Sequence, residues 1–323
     1  METSEDDKKV TADVAVSVII PAYNAAERIS ATLDSVLSQT FQNFEILVIN
    51  DGSPDTDRLE EILDSYRTRI TYIKQVNRGA AAARNAGIRS ARAPLVAFLD
   101  ADDSWLPDYL AEQIKFLESE EGYDVVYADA LIEGGPPYGG RTYMEIAPSE
   151  GEVTFASLAT QKCGVITSGV VARTKMILDV GLFDETLQRA HDYDLWLRLL
   201  KAGARFNYQR RVLLRYSYHT AGLSGDAITH AERDLIVLEK TMKRLDLTPE
   251  EREALAARFQ QRQANLLLER GKAHLAVGEF SEAFTSLDGA NKYLKSIKLT
   301  LVLCMLRLSP RSVQWLYQKR ANV

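Results

Sequence analysis

The feature that most constrains the fold of this chain is a regular alternation of short apolar runs with amphipathic stretches, which continues as far as Ala130. The apolar runs are rich in β-branched residues, as buried strands are, and the stretches between them carry apolar residues at helical spacing. We predict strands over residues 14–20, 44–49, 70–73, 95–99 and 125–127, and helices over residues 27–37, 56–66, 80–88 and 108–117, with Asp55 as the N-cap of the second helix. This alternation indicates an α/β fold in which helices cover both faces of a mostly parallel sheet.

Polar residues follow three of the predicted strands at the point where each strand ends. Tyr23 and Asn24 follow the first strand, Asn50 and Asp51 follow the second, and an aspartate cluster follows the fourth. Ligands of open α/β sheets bind beyond the carboxyl ends of the strands. The three loops therefore predict one binding crevice at that edge of the sheet.

The aspartate cluster is Asp100-Ala101-Asp102-Asp103. Side chains alternate in an extended chain, so Asp100 and Asp102 would point the same way and could share one hard divalent cation or its waters. The cluster could equally be a solvated turn in which Asp103 or Ser104 caps the next helix. Taken alone, the cluster leaves both interpretations open.

The two ends of the chain are organised differently. The first ten residues are polar and lack an apolar stretch, so we expect a disordered tail over residues 1–12 rather than an export signal. The alternation stops after Ala130, residues 133–149 are rich in glycine and proline, and the pattern is helical from Ile228 onward. We therefore predict one α/β domain over residues 13–225 and an α-helical region over residues 226–323.

Charge and cysteine content narrow the class of partner. The net charge of the 323-residue chain is −6, yet the stretch 291–323 contains seven basic residues and no acidic one. An acidic protein with one basic end argues against nucleic-acid binding and favours a local anionic partner such as a phospholipid surface. Cys163 and Cys304 form neither a disulfide framework nor a metal-binding spacing, which is typical of a cytoplasmic protein.

Four sequence motifs stand at the predicted crevice or beside it. They are Val18-Ile19-Ile20-Pro21-Ala22-Tyr23-Asn24, Ile49-Asn50-Asp51-Gly52-Ser53, Asn77-Arg78-Gly79 with Ala83-Arg84-Asn85-Ala86-Gly87, and Phe98-Leu99-Asp100-Ala101-Asp102-Asp103. In order and spacing they resemble the family 2 glycosyltransferases, over about residues 14–223. The resemblance implies the GT-A fold, a Rossmann-like and mostly parallel sheet flanked by helices, followed here by a C-terminal α-helical region. It also implies an inverting, metal-dependent enzyme of the hexosyltransferase type that uses a nucleotide diphosphate sugar.

The resemblance further implies roles in donor binding for individual residues. Tyr23 would pack against the nucleobase and Asp51 would accept its imide hydrogen, which favours a UDP- or dTDP-sugar. Asp100 would contact the ribose and metal-bound water, and Asp102 would ligate Mn²⁺ or Mg²⁺ at the pyrophosphate. The nucleotide-binding set implied in this way is Pro21, Ala22, Tyr23, Asn24, Asp51, Arg78, Gly79, Asn85, Asp100 and Ala101. Ordinary packing for Tyr23, and a salt bridge or cap at a helix start for Arg78 and Asn85, are the structural alternatives.

A second diagnostic stretch lies farther along the chain, in Gly181-Leu182-Phe183-Asp184-Glu185 and the run from Ala190 to Arg198. The family usually has Glu-Asp before an aromatic residue, whereas this chain has His191-Asp192. The resemblance implies that Asp192 is the catalytic base that takes the proton of an acceptor hydroxyl. Asp194 is the rival carboxylate, but two residues along a helix it points away from Asp192 and better fits a structural hydrogen bond or cap. Candidate residues on the acceptor side are His191, Trp196 and Arg215, of which Trp196 also fits a core position.

The stretch Arg215-Tyr216-Ser217-Tyr218-His219 resembles the closing segment of these enzymes, where a basic residue and a histidine approach the diphosphate. His219 could be a third metal ligand or a phosphate donor, or simply a histidine at a strand end. The partners implied are a nucleotide diphosphate sugar as donor and a hydroxyl of a glycan, glycolipid or protein as acceptor.

The helical end contains two further patterns. Small and large residues from Gly271 to Ala290 follow the spacing of one tetratricopeptide-type hairpin, which needs neighbouring helices or a partner subunit to bury its face. Residues 297–308 are strongly apolar, but as a helix they would rise only about 18 Å, too short for a bilayer. With the surrounding bases in 291–323 they predict peripheral contact with the inner face of the plasma membrane, and helix packing or homodimerisation is the alternative.

Two other functions fit a sheet of this type. A sugar nucleotidyltransferase needs a Gly-x-Gly-Thr-Arg loop after its first strand, and this chain has none there. An inactive glycan-binding or scaffold protein of the same fold would not need Asp51, Asp100, Asp102 and Asp192, all of which are present. Sugar transfer is therefore the main hypothesis.

Overall fold

The computed structural model describes residues 14–119, 122–218 and 227–321. The strands in these residues are β1 (Val16–Ala22), β2 (Phe44–Asp51), β3 (Thr71–Gln75), β4 (Leu95–Phe98), β5 (Ser104–Trp105), β6 (Val125–Gly134), β7 (Val170–Arg173) and β8 (Phe206–Tyr218). The helices are α1 (Ile29–Leu37), α2 (Thr56–Leu63), α3 (Ala80–Ser90), α4 (Tyr109–Leu117), α5 (Phe155–Ala159), α6 (Thr174–Asp179), α7 (His191–Lys201), α8 (Ala227–Arg244), α9 (Pro249–Val277), α10 (Phe280–Leu294), α11 (Ile297–Leu308) and α12 (Pro310–Ala321). None of the helices in these ranges is both long and apolar enough to cross a bilayer.

The strands form one mixed sheet in the order β3-β2-β1-β4-β7-β6-β8-β5. β1 pairs in parallel with β2 and with β4, and β2 pairs in parallel with β3. Beyond β4 the pairing is antiparallel between β4 and β7, between β7 and β6, and between β5 and β8. The predicted α/β class is confirmed, with parallel strands in the half of the sheet that contains β1.

The chain divides into two compact units. The first, residues 14–131, 166–183 and 204–216, contains the parallel strands and the helices α1 to α4. Its strands β1, β2 and β4 form because each is a mostly apolar run buried on both faces, as in the fully buried Val18, Ile19 and Ile20 of β1. This unit carries the loops that follow β1, β2 and β4.

The second unit comprises residues 132–165, 184–203 and 217–321 of the described chain. Here α7 packs on α8 and α5 packs on α9, with an ion pair of 2.7 Å between Lys201 of α7 and Glu251 of α9. The predicted boundary at residue 225 therefore differs from the observed division. Two segments that precede residue 225, residues 132–165 and 184–203, belong to the same unit as the later helices, because α5 packs on α9 and α7 packs on α8.

The C-terminal helices of the second unit form a hairpin and two shorter helices. α9 and α10 are joined at Gly278, which has φ +85° and ends α9 in the left-handed conformation. A Cβ on Gly271 would lie 2.6 Å from Cγ of Leu287, so the two helices meet closely at this small residue. The hairpin buries its apolar face against α11 and α12, through Leu299, Leu303 and Val313.

Some local predictions differ from the structure at element ends. Asp55 does stand at the N-cap position of α2, but its side chain makes no capping hydrogen bond there. The helix after the aspartate cluster begins at Tyr109 with Asp108 as its N-cap residue, so neither Asp103 nor Ser104 caps it. Ser104 instead begins the short strand β5.

Gly87 sets the distance between α3 and the parallel strands. A Cβ at this position would lie 2.5 Å from Cγ2 of Ile19 and 3.0 Å from Cδ1 of Ile49.

We expect Gly87→Ala to lower the free energy of unfolding by about 1–2 kcal/mol, because overpacking costs about 1–3 kcal/mol and the better helix propensity of alanine returns at most about 1 kcal/mol. Urea unfolding measures this difference. Gly135→Ala is the control, since a Cβ at Gly135 meets nothing within 4 Å. Equal stability of the two variants would contradict the prediction.

Candidate functional site

The three polar loops leave neighbouring strands at the same edge of the sheet. Because β1 is parallel to both β2 and β4, their carboxyl ends lie side by side. The loop after β1 contains Tyr23, the loop after β2 contains Gly52, and the loop after β4 contains the aspartate cluster. The three loops therefore lie at one edge of the sheet within the first unit, as predicted.

The first two loops are joined by hydrogen bonds. Asn24, with φ +53°, donates its backbone N–H to Oγ of Ser53 at 2.6 Å. Ala26 donates its backbone N–H to Oδ2 of Asp55 at 2.9 Å. The Asp55 side chain therefore connects the two loops instead of capping α2. Directly before Asn24, the Tyr23 side chain has 56% of its surface exposed. An exposed aromatic ring on a fixed loop is a suitable surface for stacking a nucleobase.

The Asp51 carboxylate holds the turn that begins α3. Its Oδ1 accepts from the backbone N–H of Arg78 at 2.9 Å and from Nε2 of Gln75 at 2.7 Å, and its Oδ2 accepts from the backbone N–H of Gly79 at 2.7 Å. A carboxylate accepts about four hydrogen bonds, so these three donors leave one position. Gly52, with φ +62°, lets the loop pass this turn closely, since a Cβ there would lie 2.6 Å from the backbone N of Asn77.

The aspartate cluster is fixed from two sides. The hydroxyl of Thr32 in α1 lies 3.0 Å from the carbonyl of Ala101 and 2.8 Å from that of Asp103. On the other side, Oγ of Ser168 accepts from the backbone N–H of Asp100 at 3.1 Å and donates to Oδ2 of Asp103. Asp103 is buried and serves the turn, while Asp100 and Asp102 keep 35% and 36% of their side chains exposed.

Each exposed carboxylate of the cluster faces an arginine. The guanidinium of Arg84, itself buried in α3, pairs with Oδ1 of Asp100. Nη1 of Arg28, just before α1, lies 4.0 Å from Oδ2 of Asp102. Arg28 belongs to none of the sequence motifs, because the pair joins residues that are far apart along the chain. Two carboxylates and two guanidinium groups therefore lie at this edge.

The oxygen donors of Asp100 and Asp102 fit a hard divalent cation. Mg²⁺ typically binds one or two carboxylates and takes its other ligands from substrate phosphates and water. Within the described residues no group of three or more His, Cys, Asp or Glu side chains could hold a metal. The two carboxylates agree with a cation that depends on a diphosphate for its remaining ligands. His219, the predicted third ligand, lies outside the described residues.

Several of the predicted nucleotide-binding residues are buried in the scaffold of the fold. The Asn85 side chain is buried, donates to the carbonyl of Phe183 at 2.8 Å and accepts from the backbone N–H of Phe183 at 2.9 Å. Ala22 is fully buried at the end of β1, and Pro21 precedes it in the same strand. We assign Asn85 to the scaffold, since both ends of its amide hold the backbone of residue 183.

Arg215 lies beside the aspartate cluster in the sheet. It pairs with Ser104 in the antiparallel register of β5 and β8, and its side chain is exposed. Ser104 directly follows Asp103, so the pairing places the backbone of Arg215 next to the end of the cluster. Arg215 is thereby in the first unit, with the loops that follow β1, β2 and β4.

Asp192 lies in the second unit, in the first turn of α7. The residue before this helix, Ala190, has φ +52°, and Oδ1 of Asp192 accepts from the backbone N–H of Tyr193 at 2.8 Å. The rival Asp194 is buried and forms a two-point ion pair with Arg198, with distances of 2.8 Å to Nε and 2.7 Å to Nη2. The predicted structural role of Asp194 is confirmed.

Two predicted acceptor-side residues are buried. Trp196 is fully buried in α7, so its assignment to acceptor contact is wrong and its core alternative holds. His191 begins α7 and is also buried, which leaves little of its ring for direct contact with an acceptor.

Tyr143, which belongs to none of the sequence motifs, interacts with Asp192. Burial, and then the negative charge of Asp192, raise the pKa of the Tyr143 hydroxyl to about 12.

Asp184 anchors the second diagnostic motif to α8. Its Oδ2 pairs with Nζ of Lys240 and lies 3.0 Å from Nη1 of Arg244, and its Oδ1 accepts from the Thr186 hydroxyl at 2.6 Å. Burial acts to raise the pKa of Asp184, but the hydrogen bonds from Lys240 and Thr186 outweigh it and hold the pKa well below its usual range.

We expect Asp184→Asn to lower the free energy of unfolding at pH 7 by about 1–3 kcal/mol, because charged hydrogen-bond donors lose their partner. The native pKa is depressed, so wild type has this stabilisation above the ordinary pKa of 3.8 and loses it as the pH falls toward the native pKa. The difference between wild type and variant, measured by urea unfolding, should therefore be constant from pH 7 to about 5 and shrink below about 4. Glu239→Gln, which removes an exposed pair with Lys243, is the control and should cost less than about 0.5 kcal/mol.

Comparison with known proteins agrees with this arrangement. The sequence model of glycosyl transferase family 2 matches residues 17–179. The amylovoran biosynthesis glycosyltransferase AmsB of Erwinia amylovora is 29% identical over 303 residues, which cover 88% of this chain and 96% of that protein. The UDP-Glc:alpha-D-GlcNAc-diphosphoundecaprenol beta-1,3-glucosyltransferase WfaP of Escherichia coli is 31% identical over 229 residues, which cover 69% of this chain and 85% of that protein.

Two solved structures share the fold. S. aureus TarS 1-349, solved in complex with UDP-GlcNAc, has a TM-score of 0.63 at 18% identity. The match covers 94% of this chain and 92% of the TarS chain. The mannosyltransferase PcManGT from Pyrobaculum calidifontis, solved in complex with GDP-Man and Mn²⁺, has a TM-score of 0.62 at 18% identity. The match covers 95% of this chain and 85% of the PcManGT chain. Together with the sequence matches, which span half of the chain or more, these findings show that the chain belongs to glycosyl transferase family 2.

Proposed function

We propose that this glycosyltransferase moves a sugar from a nucleotide diphosphate donor to a hydroxyl of a glycan or lipid-linked acceptor, with inversion at the anomeric carbon. The observation that carries the proposal is the edge of the sheet where the partly exposed carboxylates of Asp100 and Asp102 face the guanidinium groups of Arg84 and Arg28. This edge offers both signs of charge that a metal-bound diphosphate requires.

The nucleoside part of the donor would bind to the first two loops. Tyr23 supplies an exposed ring for the base. Asp51 is buried and orders the turn at Arg78 and Gly79, and in this proposal its fourth acceptor position receives an imide N–H at the end of β2. An imide N–H is present in uracil and thymine, so we favour a UDP- or dTDP-sugar. The names of two relatives agree with uridine, UDP-Glc for WfaP and UDP-GlcNAc for the TarS complex, whereas PcManGT was solved with GDP-Man.

The diphosphate would bind at the aspartate cluster. Asp102 and Asp100 would hold Mn²⁺ or Mg²⁺, which when bound acts as a Lewis acid and neutralises charge on the leaving diphosphate. Arg28 lies close enough to Asp102 to add a positive charge at the same place. Arg84 fixes the position of the Asp100 carboxylate, because its own guanidinium is buried in α3 and pairs with Oδ1.

Asp192 would act as the general base. Its carboxylate takes the proton of the acceptor hydroxyl as the hydroxyl oxygen attacks the anomeric carbon, and the bond from that carbon to the diphosphate oxygen breaks. The electron pair leaves with the nucleotide diphosphate, and one displacement inverts the anomeric centre. Asp194 is unsuited to this role because its carboxylate is committed to Arg198.

The acceptor is proposed from the relatives. The name of WfaP specifies a diphosphoundecaprenol-linked sugar, and AmsB is named for the biosynthesis of a polysaccharide. We therefore place the acceptor hydroxyl on a growing glycan, free or attached to a lipid diphosphate.

A thermal-shift panel tests the proposal. Wild-type protein is heated with UDP, dTDP, GDP and their common sugar derivatives, each with and without Mn²⁺. We expect a uridine or thymidine diphosphate to raise the midpoint by several degrees, and only in the presence of the metal. A panel in which no nucleotide diphosphate stabilises the protein would count against sugar transfer, and a response to GDP alone would overturn the base preference.

A further inference from the structure

Helix α11 in the second unit is apolar on two faces. One face, with Leu299, Leu303 and Leu306, is buried in the core of the C-terminal helices. The opposite face is exposed although it is equally apolar: Ile297, Leu301, Met305 and Leu308 keep 80%, 60%, 44% and 86% of their surface accessible. At about 100° per residue these four side chains lie within an arc of about 80°. We refer to them as the α11 stripe.

The surroundings of the α11 stripe are basic. Lys295 and Lys298 are exposed at the start of α11, and Arg311 is exposed just after its end. Arg307 is also exposed and stands over the ring of Phe284, with 4.7 Å between the guanidinium carbon and the ring centroid. The whole stretch 291–323 contains no acidic residue. Along α11 and the residues that flank it in sequence, the charged side chains are therefore all basic.

We propose that the α11 stripe docks on the surface of an anionic phospholipid bilayer, with the helix lying in the plane of the interface. The exposed apolar residues would enter the boundary between headgroups and acyl chains, and the bordering lysines and arginines would contact lipid phosphates. The helix does not span, since its 12 residues would rise only about 18 Å.

The distribution of charge selects this occupant over a second copy of the chain. A symmetric dimer through the stripe would place the same patch on both sides of the contact, so the basic residues of one copy would approach those of the other. A bilayer of anionic lipid supplies the complementary charge and the apolar phase together. The proposal is separate from the sugar transfer proposed above, because it requires none of the residues at the strand ends.

Vesicle binding by the full-length protein tests the proposal. Co-sedimentation would use vesicles of phosphatidylcholine alone and of phosphatidylcholine with phosphatidylglycerol. We expect binding to the anionic vesicles at least tenfold stronger than to the neutral ones, and weaker binding as the salt concentration rises. The double variant Leu301→Glu and Met305→Glu should lose at least tenfold in binding. Ile236→Glu, at an exposed apolar position of α8, is the matched control and should bind as wild type does.

Cys304 provides a second readout on the same face. It is exposed whereas Cys163 is buried, so a polarity-sensitive fluorophore can be attached selectively at α11. We expect a blue shift of its emission on addition of anionic vesicles, and the same shift in an Asp192→Asn background. The proposal would be overturned by equal binding to both vesicle types, by undiminished binding of the folded double variant, or by a blue shift that needs only higher protein concentration, which would indicate a second copy.

Discussion

Asp192→Asn is expected to lower kcat by about 10²–10⁴-fold, the usual contribution of a general base, while the donor affinity stays close to that of wild type. The amide has almost the shape of the carboxylate but cannot take a proton from the acceptor hydroxyl. It can still accept the hydrogen bond from the backbone N–H of Tyr193, so the start of α7 should keep its structure. Transfer kinetics with saturating donor, together with donor titration by thermal shift, measure the two quantities separately.

Asp194→Asn is the matched variant on the same helix. It removes one partner of the buried ion pair with Arg198, so we expect a lower free energy of unfolding, by about 1–3 kcal/mol, and a kcat close to that of wild type at a temperature where the variant is folded. The reverse pattern, in which Asp194→Asn abolishes transfer and Asp192→Asn does not, would transfer the role of base to Asp194.

Asp102→Asn is expected to reduce kcat/KM by at least about 10²-fold and to remove the dependence of donor binding on Mn²⁺. An amide oxygen is a weaker ligand than a carboxylate for a hard cation, and the substitution leaves the guanidinium of Arg28 without the nearby negative charge. The measurement is a Mn²⁺ titration of transfer and of the donor-induced thermal shift, since the second readout does not require turnover.

Asp108→Asn is the control for this prediction. Its carboxylate is exposed, makes no capping hydrogen bond, and accepts only a hydroxyl hydrogen bond from Thr40 at 3.1 Å, which an asparagine can also accept. We expect an unchanged Mn²⁺ titration. If Asp102→Asn also left the titration unchanged, the metal assignment at the cluster would be wrong, although the family would still hold.

The parallel half of the sheet could be predicted because its signals are local. Strands β1, β2 and β4 are mostly apolar runs, and the starts of α2 at Thr56 and α3 at Ala80 coincide with the predicted ones. The strand β7, Val170–Arg173, escaped prediction although it is as long as β4, because its antiparallel pairing with β4 joins segments far apart in sequence. Periodicity within a window contains no information on such a partner.

The same distinction separates the site residues that could be identified from those that could not. The motifs located Tyr23, Asp51 and the aspartate cluster, because each stands at the carboxyl end of a strand or just after it. They did not distinguish the scaffold role of Asn85, whose partner Phe183 is 98 positions away, or reveal Arg28 beside Asp102. Such roles follow from tertiary contacts, and only the folded chain displays them.

The close packing at Gly87 has a consequence for how this site can vary among relatives. Helix α3 contributes the Arg84 guanidinium that binds Asp100, and its N-cap residue Gly79 contributes the N–H that binds Asp51, so a sideways displacement of α3 would move both contacts together. Ile19 and Ile49 limit that displacement through Gly87. A larger side chain at the position of Gly87 should therefore be accompanied by a smaller one at the position of Ile19 or Ile49. Pairwise covariation of these three buried positions would then record the position of α3 and of its two contacts with the aspartates.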